Sequence, residues 1–92
     1  MSSRTPTECV ELATNSSASD EDRKDAIHAL KQANECDELA DLVQTESLDE
    51  RFRHQALEAL ATPQCDSTLR DLSEGELSDR ELREKASDLL ER

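Results

Sequence analysis

The sequence predicts an all-α protein built as three antiparallel helical hairpins, and three observations predict it. Apolar residues recur with helical spacing: Phe52, Ala56, Ala59 and Leu60 follow i, i+4, i+7, i+8, and Leu82, Ala86, Leu89 and Leu90 repeat that pattern. Period-two alternation, the mark of a half-buried strand, is absent. Sliding the chain by thirty residues aligns column after column without a gap. Arg23, Arg53 and Arg83 coincide, as do Ala26, Ala56 and Ala86, then Ala29, Ala59 and Leu89, then Leu30, Leu60 and Leu90. Upstream, Cys9, Leu39 and Leu69 form one column and Leu12, Leu42 and Leu72 another.

The units run over about 5–33, 35–62 and 65–92 and together make one domain, 1–92. Unit one opens on Thr5-Pro6-Thr7-Glu8, an N-cap with proline at the first helical position and glutamate at the third. Asn15 ends its first helix, and the second carries Ala26, Ile27, Ala29, Leu30 and Ala33, with Asp22 where the other units place Phe52 and Leu82. Unit two pairs Leu39, Leu42 and Val43 with the Phe52 helix; Ser47 and Glu50 have capping-box spacing, and Ser19 and Asp49 offer caps of their own. Pro63 stops the second helix of that unit. Unit three pairs Leu69 and Leu72 with the Leu82 helix, whose start has Ser78 and Glu81 at capping-box spacing. Gly75 is the expected left-handed C-terminal residue of its first helix, and Asn15 holds the equivalent place in unit one. The breaks at 15–18, 45–48 and 73–77 are short, which folds each helix pair back on itself.

These residues carry a family resemblance. A thirty-residue helical pair whose second helix opens D-x-x-ϕ-R-x-x-A-x-x-A-L, with ϕ apolar, resembles the HEAT-like repeat of the phycobilisome-lyase type. Unit two supplies Asp49, Phe52, Arg53, Ala56, Ala59 and Leu60; unit three supplies Asp79, Leu82, Arg83, Ala86, Leu89 and Leu90. Unit one has Ser19 and Asp22 at the first two of those places, and the usual glycine after the Ala-Leu pair is replaced by Lys31, Ala61 and Glu91. The resemblance implies a short α-solenoid, with a continuous core between neighbouring hairpins and one concave face that binds other proteins. Lyase activity is not carried over, because nothing in the chain resembles a bilin site. The resemblance also pairs the arginine column with the aspartates Asp49 and Asp79, an inter-repeat staple. Arginine in the first turn of a helix is electrostatically poor without such a partner.

With 23 acidic and 11 basic side chains the 92-residue chain has a net charge of −12, spread as −3, −5 and −4 over its thirds. Such a surface repels phosphate backbones and anionic membranes, so no nucleic-acid or membrane partner is expected. Three lysines beside eight arginines, with a single aromatic residue, resemble the cytosolic proteins of salt-loving archaea, where molar salt screens self-repulsion. The first residues lack an apolar segment of the kind a secretory signal needs. A cytoplasmic location and reduced thiols are therefore expected, without a disulfide among Cys9, Cys36 and Cys65.

Cys9 reads as a core residue; Cys36 and Cys65 lie beside loops, in no zinc-knuckle spacing. His28 and His54 form no HxxxH or HExxH motif and read as boundary residues, with a metal site shared with Cys36 or Cys65 as the remote alternative. One glycine cannot build a phosphate-binding loop, and no nucleophile–base set stands out. No catalytic residue, metal or cofactor is expected. The expected function is a non-catalytic protein-interaction module; the alternative is an acidic accessory subunit that binds a basic protein. Leu82, Leu89 and Leu90, with no further helix to cover them, predict a homodimer through the C-terminal hairpin.

Overall fold

The computed structural model describes residues 5–77 and 79–91, all helix and connecting turns, with no strand among them. The helices are α1 (Pro6–Thr14), α2 (Asp20–Gln32), α3 (Cys36–Gln44), α4 (Glu50–Ala59), α5 (Asp66–Asp71) and α6 (Arg80–Leu90). A 3-10 turn, Pro63–Cys65, leads into α5, and a π turn, Leu72–Glu76, leads out of it. Consecutive helices pack as α1 on α2, α3 on α4, and α5 with its π turn on α6. Further contacts run along the odd-numbered helices, α1 to α3 to α5, and along the even-numbered ones, α2 to α4 to α6. The molecule measures 38 × 25 × 18 Å.

Local chemistry explains most helix starts. The Thr5 hydroxyl accepts from the Glu8 amide at 3.2 Å while the Thr5 amide donates to the Glu8 carboxylate at 2.8 Å, a closed capping box. Ser19 caps α2 through the Asp22 amide, and Asp20, Glu21 and Asp22 place negative charge at the positive end of that helix. Asp49 caps α4 through the Arg51 amide, so the Ser47–Glu50 box does not form; Asp79 caps α6 through the Leu82 amide. Ser78, the other expected cap, lies outside the described residues.

Two turns differ from the sequence expectation. Asn15 is extended, at φ −80° and ψ 105°, and its side chain accepts from the Ser17 amide instead of entering the left-handed region. The left-handed asparagine is Asn34, at φ 56°. It closes α2: its amide donates to the Lys31 carbonyl at 3.1 Å and the next amide, Glu35, to the Leu30 carbonyl at 3.0 Å, the paired bonds of a Schellman motif. Gly75 does take positive φ, 126°, but inside the π turn instead of directly after an α-helical end.

One core cluster unites all six helices. Ala26, Ala56 and Ala86 are fully buried, as are Leu30 and Leu60, while Leu90 is half-buried. Phe52 and Leu82 are internal; Asp22, their counterpart, is exposed, and so is Ala29 although Ala59 and Leu89 are buried. Unit one thus turns a solvated flank outward. Of the three leucines expected on an open C-terminal flank, Leu82 and Leu89 belong to the core and Leu90 is half-buried against it. The outer positions there are Ser73, where Ala13 and Val43 stand in the other units, and Ser87, where Ile27 and Leu57 stand. Those four counterparts are fully buried, whereas Ser73 is half-buried and Ser87 exposed.

Candidate functional site

The arginine column is the most constrained polar feature, and its partners are not those expected. Arg23 Nε donates to the Ala13 carbonyl at 3.0 Å, and Arg53 Nε to the Val43 carbonyl at 2.8 Å; both bonds are buried and both span ten residues. Ala13 and Val43 lie in the last turns of α1 and α3, where carbonyls lack an intrahelical donor. Each guanidinium starts at the positive end of its own helix and reaches the negative end of the preceding one, which resolves the electrostatic objection to its position. A charge-assisted bond of this kind contributes about 1.5–3 kcal/mol.

The expected Arg–Asp pairing is reduced to one loose contact. Arg53 Nη1 lies 3.9 Å from the Asp79 carboxylate, too long for a hydrogen bond. Arg23 and Asp49 make no ion pair; the Arg23 guanidinium sits instead 4.3 Å over the Phe52 ring. Asp49 is taken by Arg51, a residue outside every aligned column. Arg51 also reaches Asp20 on α2 at 2.9 Å and lies 5.0 Å from the centroid of the Phe52 ring. The hydrogen bond from Arg51 lowers the pKa of both Asp20 and Asp49 below the ordinary carboxylate value, and the two carboxylates raise that of Arg51 in turn.

Polar contacts 31 residues apart cross the seams between even-numbered helices. Arg51 meets Asp20, Gln55 Nε2 donates to the Lys24 carbonyl at 3.1 Å, and Lys85 Nζ lies 3.0 Å from His54 Nδ1. Lys85 also pairs with Glu58 at 2.9 Å. His54 is therefore a seam residue and His28 an exposed one; among the described residues no cluster of three histidine, cysteine or acidic side chains is placed to hold a metal.

Arg83 breaks the column's rule. Its Nε is buried and has no hydrogen-bond partner among the described residues. Its counterpart acceptor, ten residues back, is Ser73, which belongs to the π turn instead of a regular α-helical end. Arg83 borders an open cleft of about 250 Å³ with Ser73, Arg80, Glu84 and Ser87, and Arg80 Nε is bonded to Glu84 at 3.2 Å.

The cysteines overturn the expectation of reduced thiols throughout. Cys36 and Cys65 form a disulfide with Cα atoms 5.4 Å apart, tying the start of α3 to the turn before α5; Cys9 is buried outside it. The sequence places each of the two bridged cysteines at the start of the first helix of consecutive units, but only the packing of α3 on α5 brings those starts together.

A second groove runs between α3 and α5. Asp37, Ala40, Asp41 and Gln44 line one wall, Thr68, Asp71 and Leu72 the other, around about 280 Å³. No helix of the described residues is long and apolar enough to cross a membrane. Comparison with family models, with curated proteins and with solved structures finds no match.

Proposed function

We propose that the chain is a non-catalytic protein-interaction module, three antiparallel hairpins stacked as a short α-solenoid of the HEAT-like kind. The arginine–carbonyl bond made twice, thirty residues apart at Arg23 and Arg53, and the seam contacts 31 residues apart support the stacking. The observation that carries the binding role is the groove between α3 and α5. It is walled by side chains of α3 and of α5 with the turn that follows it, and its lining combines carboxylates with the apolar Ala40 and Leu72. Its three aspartates favour a second, narrower reading, an accessory subunit that receives a basic segment of a partner.

The setting we propose is a salt-rich cytoplasm, on the balance of 23 acidic to 11 basic residues. Thiol trapping in the native cell reads whether Cys36 and Cys65 are bridged there. The binding role is tested by affinity capture from the native cell at low salt and at molar KCl, with wild type and with Asp41→Asn/Asp71→Asn. A partner bound by wild type and lost from the double variant supports the groove. Loss in molar KCl as well marks a basic partner. Equal capture by both chains removes the proposal.

A further inference from the structure

The cleft beside α6 gathers two arginines and two serines with one glutamate, although the chain as a whole is strongly acidic. The sequence places two arginines, Arg80 and Arg83, and Ser87 along one face of α6 at i, i+3 and i+7. The π turn after α5 brings Ser73 to the same cleft. In units one and two the positions of Ser73 and Ser87 are filled by Ala13, Val43, Ile27 and Leu57, all inaccessible to solvent. Here both are hydroxyls, unsuited to an apolar helix; Ser73 Oγ donates to the Arg70 carbonyl at 2.8 Å, which leaves Ser87, exposed on α6, as the serine able to donate to a ligand.

Arg83 supplies the second observation. The Nε–H groups of Arg23 and Arg53 are spent on backbone carbonyls at 3.0 and 2.8 Å. That of Arg83 is removed from solvent and has no acceptor among the described residues. A buried charged donor without an acceptor costs free energy, and the group that satisfies it must bring oxygen lone pairs. Glu84, the carboxylate in the cleft, is already engaged by Arg80 Nε at 3.2 Å. Its neighbour Arg53 shows what such a flank accepts, since the Asp79 carboxylate of the following unit sits 3.9 Å from Arg53 Nη1.

We propose that Arg83, with Ser87 and Arg80, forms an oxyanion-binding site that takes a phosphate or a carboxylate group. Arginine's fork presents parallel N–H donors to two oxygens of such a group, and the Ser87 hydroxyl supplies a further donor beside it. The arginines and Ser87 lie on α6, which does not line the α3–α5 groove, and the site does not depend on the function proposed for that groove.

The test is an NMR titration of the arginine Nε–Hε resonances with inorganic phosphate and, separately, with acetate, at constant ionic strength. Saturable movement of the Arg83 signal is expected, with the Arg23 and Arg53 signals fixed as internal controls. Saturation with phosphate alone identifies a phosphate site, and with acetate alone a carboxylate site. Ser87→Ala, at an unchanged melting temperature, is expected to weaken the midpoint roughly tenfold, the equivalent of about 1.4 kcal/mol. Movement of Arg83 that is linear and no larger than that of exposed Arg70 overturns the proposal, as does saturation that the variant leaves unaltered.

Discussion

Cutting the Cys36–Cys65 bridge is the perturbation whose cost follows most directly from the structure. The bond closes a loop between residues 29 apart in sequence. The chain-entropy treatment gives a loss of about 12 cal/mol/K from the unfolded ensemble for such a loop, which is about 3.6 kcal/mol at 25 °C. A domain of this length has a total stability of about 5–14 kcal/mol, so the bridge is a large share of it. At a few degrees per kcal/mol, reduction is expected to lower the melting temperature by about 20 °C. The assay is thermal unfolding followed by circular dichroism in molar KCl, with and without reductant, beside Cys36→Ser/Cys65→Ser measured without reductant. The double variant and the reduced wild type are expected to melt together, because Cys9 is outside the bridge. In denaturant without reductant, one thiol per chain is expected to react. Three reactive thiols would refute the bridge itself. A difference between oxidised and reduced protein below about 4 °C would refute the loop-entropy reasoning.

Three further outcomes are expected. Arg53→Ala removes the buried bond to the Val43 carbonyl and strands that acceptor, at a cost of about 2–4 kcal/mol in urea unfolding, whereas Arg83→Ala, which breaks no such bond, costs less than about 1 kcal/mol. Asp20 and Asp49 titrate below the ordinary carboxylate value because Arg51 holds their charged forms. Their contribution is present above the unfolded-state pKa and is lost as pH falls through the lowered folded value; carboxyl NMR titrations read both, and Arg51→Ala returns them upward. With a net charge of −12, the urea midpoint is expected to rise from low salt to molar KCl, and a midpoint indifferent to salt counts against the proposed halophilic setting.

The helices were legible because their signals are local. Thr5 and Glu8 are three residues apart, Ser19 caps an amide three residues on, and the Phe52–Leu60 stripe lies within a single helix. The arginine column was legible as a column, but its acceptors were not: a carbonyl leaves no mark in sequence, whereas Asp49 and Asp79 do, and the visible carboxylates drew the expectation. Arg51 was missed because it occurs in one unit alone, so repetition could not point to it. Asn34 is left-handed at the end of α2, where the Schellman bonds to the Lys31 and Leu30 carbonyls close behind Ala33. Asn15 instead spends its side chain on the Ser17 amide.

Sequence alone determined the all-helical class, the caps of α1 and α2, the burial of Ala26, Ala56 and Ala86 and of Leu30 and Leu60, and the excess of acidic charge. Each depends on residues within a few positions of one another, or on composition. Tertiary structure alone decided which carbonyls Arg23 and Arg53 reach, which cysteines join, and that Leu82 and Leu89 lie in the core. Those outcomes depend on groups ten to 31 residues apart, whose meeting is set by how helices lie against each other and by the π turn at Leu72–Glu76.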